Sequence, residues 1–419
     1  MTAIRAAMEK APLVPHPLAA GAITPYDALL QARNMSKIPP EKPEQDEEDT
    51  PKDGIRVTAD GEDEDENDQK SKNDNKAATR DPVNAVTGEV VLSQTDFTVP
   101  WRIPVTWTRH YGHQRRHTGL CGLNWHSPAD IRLQLKANGK VLFYGPDPKA
   151  HVFKRLDNAR PVREVSDGAL LERCEQGLRV TTKQGLSYHF AEPDPKKRSQ
   201  TLYVEKITDR CGNRLHYERD EHGLCRIGDN SGNALAVRTR MGRIVTIHLA
   251  LESGDRLLAR YDYDPQNNLF TVFDALNTSH RFAYEKKALV RHTDRTGFSV
   301  HYQYDNKGRC IRVTGDDRYY YGELEYGDGC TTVTDSLGHQ QVFEYNAAGR
   351  ITAIIAPDGG KTRYTYDSAG RTKTVTDPAG NTTEYSYDNA GNLDGVAYAD
   401  GANLLISYNA DHRPGSCMT

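Results

Sequence analysis

A period of 21 residues constrains this chain more than any other feature of its sequence. The pattern Tyr-x-Tyr-Asp-x-x-Gly returns along the second half of the chain, and its second tyrosine serves as an anchor. A fixed period of this length is typical of a repeat architecture. The anchors are separated by 19 to 22 residues, and they are Tyr263, Tyr284, Tyr304, Tyr326, Tyr345, Tyr366, Tyr387 and Tyr408.

Each period also carries two turn signals of the form Asp-x-x-Gly. Glycine permits the positive φ that such turns require, and an Asp or Asn side chain can hydrogen-bond its own turn. Two turns per period leave room for two strands of about six to eight residues. The turn residues assigned to the repeat scaffold are Asp305, Asp367, Asp388, Gly308, Gly349, Gly370 and Gly391.

Eight such periods predict a long antiparallel sheet of hairpins. Open sheets of more than about ten strands curl, split or close because strands twist. The predicted fold is therefore all-β, with the sheet curled into a partial cocoon or spiral. The two tyrosines of each Tyr-x-Tyr share one face, and an arginine after the turn glycine is suited to lie over a neighbouring ring.

The segment before the repeats has a different composition. Residues 80–128 contain all three tryptophans of the chain and several alternating apolar segments, which predicts a compact β cap with its own aromatic core. Residues 129–419 are interpreted as the β shell, with the clearest repeats at 205–410. Asn138-Gly139 between two apolar runs predicts a hairpin near the start of that shell.

The amino-terminal fifth of the chain predicts little packed structure. Residues 41–76 hold 15 acidic and 6 basic residues, so 39–79 is predicted to be a disordered acidic linker. Before it, Thr24-Pro25 is a helix-start signal, which predicts a short helix at 26–33. Residues 1–38 are interpreted as a docking or delivery segment.

Several classes of protein are disfavoured by composition. No apolar run is long enough for a membrane span, and prolines interrupt the apolar amino terminus, which disfavours a secretory signal peptide. The seven cysteines are scattered without a CxxC pair, which favours a reducing compartment and hence the cytoplasm of the producing cell. Outside the acidic linker the charge is nearly balanced, and no nucleic-acid partner is predicted.

Candidate chemistry is sparse. His110, His113 and His117 have spacings compatible with a metal site, but the arginines among them would oppose a cation, so a polar loop is the favoured interpretation. Most Asp and Glu residues lie in the linker or at turns. We therefore expect no catalytic residue, no metal site and no cofactor.

The Tyr-Asp repeats with their 21-residue step resemble those of the Rhs/YD-repeat family. Asp81-Pro82-Val83-Asn84 with Thr87-Gly88-Glu89, and Gly122-Leu123-Asn124-Trp125, are similar to the opening of an Rhs shell. The resemblance covers about residues 81–419. It implies a hollow β cocoon that encloses a carboxy-terminal toxin, and in many members export by type VI secretion for competition between bacteria. On that basis the chain is expected to be a non-enzymatic shell, secreted without a signal peptide.

The resemblance also implies partners. Residues 1–38 would bind a secretion spike protein or an adaptor chaperone, and a full-length form would carry toxin cargo and bind an immunity protein. The sequence stops at Thr419 within the repeats, without the family's core motif or a toxin. A truncated or displaced amino-terminal part of an Rhs protein is therefore expected.

Two alternatives stay open. The first is a surface adhesion or carbohydrate-binding repeat protein, which would use tyrosine-lined sheet surfaces. The second is a protein that cleaves itself in the linker between residues 38 and 80, where some relatives are cut. The candidate position is Lys42-Pro43, and an uncut linker is at least equally compatible with the sequence.

Overall fold

The computed structural model describes residues 83–156, 160–164, 167–318, 321–409 and 414–418. The helix predicted at 26–33, the segment 1–38, the linker 39–79 and the candidate processing position Lys42-Pro43 lie outside these residues. Within them the chain is nearly all β, and the helical elements are two short 3₁₀ turns, Pro128–Asp130 and Asp316–Arg318. The described residues contain no helix of the length and apolarity that a membrane crossing requires.

Three small sheets precede or flank the long one. The first pairs β1 (Val91–Val99), β2 (Val105–Gly112) and β5 (Trp125–His126), and the second pairs β3 (Thr118–Gly119) with β4 (Gly122–Leu123). The third has the order β13-β6-β7-β8 and consists of β6 (Arg132–Leu135), β7 (Val141–Tyr144), β8 (Ala150–Phe153) and β13 (Gln200–Tyr203). The hairpin expected around Asn138-Gly139 is present as β6 and β7, but it belongs to this separate sheet.

The remaining strands form the long sheet. They are β9 (Val162–Arg163), β10 (Leu170–Cys174), β11 (Gly177–Thr181), β12 (Ser187–Phe190), β14 (Lys206–Thr208), β15 (Arg214–Asp220), β16 (Gly223–Asp229), β17 (Ala234–Arg240), β18 (Arg243–Ala250), β19 (Arg256–Tyr263), β20 (Leu269–Asp274), β21 (Ser279–Glu285), β22 (Ala288–Thr293), β23 (Ser299–Tyr304), β24 (Cys310–Gly315), β25 (Tyr321–Tyr326), β26 (Cys330–Asp335), β27 (Gln340–Tyr345), β28 (Ile351–Ile355), β29 (Lys361–Tyr366), β30 (Thr372–Thr376), β31 (Thr382–Tyr387), β32 (Leu393–Ala397), β33 (Asn403–Tyr408) and β34 (Pro414–Met418).

The strands of the long sheet pair antiparallel with their neighbours in chain order. The run of pairs begins at β9 and ends at β34, and among the described residues no pairing joins these two strands. The predicted all-β fold, a long antiparallel sheet of hairpins, is therefore confirmed. The sheet also returns on itself, because the Lys183 ammonium beside β11 donates to the Gly391 carbonyl between β31 and β32, at 3.0 Å.

A β-bulge recurs at the anchor tyrosine and explains the curl. The register shifts by one residue at Tyr345, Tyr366 and Tyr387, and equivalent shifts occur in earlier hairpins. A bulge bends its strand and increases the local right-handed twist. Seven of the eight anchor tyrosines have such a bulge, Tyr326 being the exception, so most hairpins receive a similar bend and the bends add along the sheet.

The cap does not have a core of its own. Trp107 and Trp125 belong to one buried cluster together with long-sheet residues such as Tyr261 and Val313. The expected separate aromatic core is therefore wrong, because the cap packs its tryptophans against the long sheet. A second cluster joins Ala85 of the cap to residues of β27, β28 and β29.

Candidate functional site

The candidate site is the cap junction, which is the contact of residues 83–130 with the long sheet. At its centre Arg109 on β2 and Asp96 on β1 form an ion pair with side chains 0% and 1% exposed. Two guanidinium nitrogens donate to the two carboxylate oxygens at 2.7 and 2.8 Å. The hydroxyl of Tyr261 on β19 donates to the same carboxylate at 2.7 Å. The ion pair thus joins two cap strands to the long sheet.

Aromatic rings enclose the guanidinium of this pair. The Arg109 carbon Cζ lies 4.8 Å from the ring centroid of Trp125, 5.8 Å from Tyr261 and 5.7 Å from Phe282. Burial acts to lower the pKa of Arg109, but the Asp96 carboxylate outweighs it and raises the pKa above its ordinary value. Arg109 therefore stays charged, and its buried ion pair with Asp96 holds the two cap strands together.

Gln94 links the ion pair to two histidines of the long sheet. Its amide oxygen accepts from Arg109 at 3.1 Å, which leaves the amide nitrogen as the donor to His280 Nδ1 at 3.1 Å and His292 Nε2 at 2.7 Å. Both ring nitrogens are therefore acceptors, as in neutral imidazole. Burial lowers the pKa of both histidines to about 4, helped by Arg295 beside His280 and by His280 beside His292.

Further cap residues reach successive strands of the long sheet. As the residue number falls along the cap from 96 to 85, its partner in the long sheet moves from β19 to β26. Two of these contacts are Cys310 N to the Gly88 carbonyl at 2.9 Å and Thr331 Oγ1 to the Ala85 carbonyl at 2.6 Å. Cap residues later in the chain add Trp125 Nε1 to the Tyr284 hydroxyl at 3.0 Å, Leu289 N to the Tyr111 hydroxyl at 2.9 Å and His113 Nε2 with the Gly308 carbonyl at 2.8 Å. The cap therefore crosses several hairpins and fixes their relative positions.

The turn at Gly88 is the most tightly fitted part of this crossing. Asn84 Oδ1 accepts from the backbone N–H of Val86 and Thr87 at 2.9 and 3.1 Å, which builds the turn. Gly88 has φ +68, and a Cβ there would lie 2.5 Å from Arg309 Cβ. The residue type is thus required both by the backbone and by the close approach to the long sheet.

The anchor tyrosines connect neighbouring hairpins. Seven of them donate a hydroxyl hydrogen bond to a backbone carbonyl of an earlier strand, whereas Tyr284 accepts from Trp125. These bonds satisfy backbone carbonyls of the preceding strands. The pairs are Tyr263 with Ile244, Tyr304 with Leu289, Tyr326 with Cys310, Tyr345 with Cys330, Tyr366 with Ile351, Tyr387 with Thr372 and Tyr408 with Leu393.

The turn aspartates bind the residue four positions later twice. Asp367 accepts from the backbone N–H of Arg371 at 2.8 Å and from its Nε at 2.7 Å. Asp305 and Asp388 do the same with residues 309 and 392. Partial burial acts to raise the pKa of these carboxyl groups, but the hydrogen bonds outweigh it and hold each pKa below its ordinary value. The turn glycines have positive φ: Gly308, Gly349, Gly370 and Gly391.

Arginines that follow the turn glycines lie over tyrosine rings. Cζ of Arg309 is 4.3 Å from the ring centroid of Tyr326, and Cζ of Arg371 is 4.4 Å from that of Tyr387. A cation over an aromatic face is attracted by the ring quadrupole. The same arginine thus holds its own turn and covers the anchor of the next hairpin.

The three candidate histidines do not converge. His110 bonds Ser93, and His113 bonds Val90 and Gly308. His117 instead lies with His126 and Asp130, with one possible ligand atom of each within 4.8 Å of the others.

That cluster has the character of a structural network. The Asp130 carboxylate accepts hydrogen bonds from Leu120 N and from Ser127 N and Oγ. Burial lowers the pKa of both His117 and His126, and the nearby Arg132 guanidinium lowers it further. A nearby arginine disfavours a cation there. The grouping of His117 with His126 and Asp130 was not predicted. In the sequence, only the spacing His126-x-x-x-Asp130 marks two members of this cluster.

Comparison with known proteins agrees with the repeat pattern and the cap. Residues 80–153 match a domain of unknown function (DUF6531), and residues 327–362, 345–382 and 366–402 match the RHS Repeat family. The chain is an Rhs/YD-repeat protein.

Two curated proteins similar to this Rhs/YD-repeat protein are a DNA deaminase toxin and a probable deoxyribonuclease. It is 27% identical over 286 residues to Double-stranded DNA deaminase toxin A of Burkholderia cenocepacia (strain H111), covering 66% of this chain and 19% of the relative. It is 25% identical over 312 residues to Probable deoxyribonuclease RhsB of Dickeya dadantii (strain 3937), covering 69% and 20%. The chain thus spans about a fifth of the length of these relatives.

Among solved structures, the TcdB2-TccC3 complex without its hypervariable C-terminal region is similar to this Rhs/YD-repeat protein at 10% identity. The match covers 76% of this chain and 23% of that one, with a TM-score of 0.40. Only a distant likeness follows from these values.

Proposed function

We propose that this protein is a shell part of an Rhs-type secreted toxin and acts as a scaffold that has no catalytic site. In this proposal it serves competition between bacteria and leaves the producing cell by type VI secretion. The observation that carries the proposal is the cap junction. A buried ion pair, a Gln-His-His link and further hydrogen bonds tie one segment across at least five strands of the long sheet.

The non-enzymatic part of the proposal rests on how the titratable groups are used. The strongly shifted groups of the cap junction are committed to structural partners: Arg109 to Asp96, Tyr261 to Asp96, and both histidines to Gln94. The turn carboxylates bind their own turns. A general base or nucleophile needs a partner geometry that leaves it free to reach a substrate. These groups instead stabilise the turns and join the cap to the long sheet.

The carbohydrate-binding alternative receives no support from the repeat tyrosines. Tyr364 is 5% exposed and Tyr385 is 6% exposed, and the anchor hydroxyl groups are engaged with backbone carbonyls. Stacking on a sugar needs an accessible ring face. The buried tyrosines are therefore better suited to holding neighbouring hairpins of the long sheet together.

The proposal includes partners by analogy with the family. Residues 1–38 would contact a spike protein or an adaptor chaperone, and the shell would hold toxin cargo that an immunity protein neutralises. The names of the relatives, a DNA deaminase toxin and a probable deoxyribonuclease, motivate cargo that acts on DNA.

Secretion can be tested in the producing organism. The chain, tagged at a turn that has space around it such as Gly338, is expected in the culture medium of producing cells and absent from the medium of cells without a contractile sheath. Equal release by both strains, with a cytoplasmic marker retained, would contradict type VI delivery.

The scaffold role needs a separate measurement. The purified protein is expected to leave single- and double-stranded DNA neither cleaved nor deaminated, as read by gel and by sequencing. It is also expected to delay proteolysis of a toxin encoded beside it. DNA modification that survives repurification would refute the non-enzymatic proposal, and an unprotected toxin would refute the shell.

A further inference from the structure

Exposed arginines gather on the face of the long sheet opposite the tyrosines. Arg281 on β21 and Arg291 on β22 both point away from the buried face, whose residues there are Phe282 and His292. Arg291 is directly opposite His301 on β23, and Arg281 is diagonal to Arg291. We call Arg281 and Arg291, together with Arg238 on β17, the arginine face.

Several cations elsewhere on the long sheet are paired with anions. Arg226 lies 2.6 Å from Glu218, Arg312 lies 2.5 Å from Glu323, and Lys361 lies 2.8 Å from Glu344. In contrast, Arg238, Arg281 and Arg291 are exposed and have no anionic partner among the residues that the structure describes. These three arginines therefore lack a compensating carboxylate among the described residues, whereas His301 beside Arg291 lies 3.6 Å from Asp316.

An uncompensated cluster of this kind has a physical cost. Like charges opposite or diagonal to each other across strands destabilise a sheet. Arg260, on β19, is a cation that does have an anionic partner, because its Nε lies 3.9 Å from the Asp262 carboxylate. An anionic ligand would remove this repulsion.

We infer that the arginine face binds the acidic segment of the same chain, residues 41–68. Residues 62–68 alone carry six carboxylates and no basic side chain. The segment is tethered to the sheet, which gives it an effective concentration that a free anion does not have. The proposed occupant thus follows from charge complementarity and covalent proximity.

The chain is long enough for this contact. Ala85 is bound to Thr331 on β26, four strands from β22, which corresponds to about 20 Å at ~4.8 Å per strand. The fifteen residues from Asp68 to Val83 can span up to about 50 Å when extended. The acidic residues can therefore reach round the edge of the sheet to the arginine face.

The test places a reactive amine on the arginine face without changing its charge. In the full-length chain carrying Arg281→Lys and Arg291→Lys, a carbodiimide can join a lysine amine to a carboxylate in contact with it. Peptide mapping by mass spectrometry is expected to find residues 281 and 291 joined to residues 41–68 in the monomer. These cross-links should be lost at high salt, where the Debye length falls to about 3 Å at 1 M.

Two variants act as controls. Arg363→Lys places an amine on an equally exposed position of β29 outside the arginine face, and it should yield no such cross-link. The combined changes Asp63→Asn, Glu64→Gln, Asp65→Asn and Glu66→Gln should abolish the cross-links at residues 281 and 291. The inference is overturned if position 363 reacts equally, if the products are dimers, or if the arginine face binds an oligonucleotide while the acidic segment stays unlinked.

Discussion

Arg109 and Asp96 illustrate how one buried ion pair holds two parts of this protein together. In Asp96→Asn the buried guanidinium loses its counter-ion, and breaking one partner of a buried pair costs about 3–5 kcal/mol. We expect the urea midpoint of unfolding, followed by tryptophan fluorescence, to fall accordingly. Glu218→Gln removes the anion of an exposed pair and should change the midpoint little. Equal effects of the two variants would contradict a special contribution of the buried ion pair to stability.

A second prediction at this scale concerns acid. The pKa values of His280 and His292 are lowered from 6.5 to about 4 in the folded protein, so between these values the unfolded chain binds more protons. Stability must therefore fall as the pH falls from about 6.5 towards about 4, and change no further through these groups below that range.

The pH dependence can be assigned by substitution. His280 faces Arg295, Arg109, Asp96 and Asp294, and His292 faces His280, Asp294 and Arg109. His292→Asn is therefore the change with fewer charged neighbours. The difference in unfolding free energy between pH 7 and pH 4.5 should be smaller in His292→Asn than in the unchanged protein. His222→Asn, at an exposed turn, should leave that difference unaltered. An undiminished difference in His292→Asn would refute the assignment.

At the scale of elements, the turn at Gly88 attaches the cap to β24. Gly88→Ala adds a Cβ 2.5 Å from Arg309 Cβ and also strains a backbone at φ +68. Gly297→Ala is the matched control, because Gly297 has φ +91 but open space around it. Hydrogen exchange should accelerate at residues 83–90 and 308–313 in Gly88→Ala only. Faster exchange of these peptides in both variants would indicate backbone strain without a packing contribution.

The elements also show which features the sequence could predict. The hairpins follow from local signals, because each turn aspartate and glycine acts within five residues, as at Asp367 and Gly370. The bulge at seven of the eight anchor tyrosines has no such signal, since it is set by pairing across strands. The cap junction is still harder to predict from the sequence, because Gln94 binds histidines that are 186 and 198 residues away and that no periodicity marks.

At the scale of the whole molecule, the long sheet coils until early and late strands touch. Lys183 beside β11 donates to the Gly391 carbonyl, and the Ala390 carbonyl lies against Gly168. These residues are separated by about 200 positions in the sequence, so their contact depends on the summed bends of the hairpins between them. The contact therefore reports on the curl of the entire sheet.

Lys183→Met tests whether this contact holds the coil or only results from it. The substitution keeps most of the apolar stem and removes the donor to Gly391. Hydrogen exchange of the turn at residues 388–392 should accelerate, whereas the chemically similar turn at 305–309, which lies on the cap, should not change. If neither turn changes, the accumulated bulges alone fix the curl. If both change, Lys183 stabilises the sheet generally and the contact is not a specific closure of the coil.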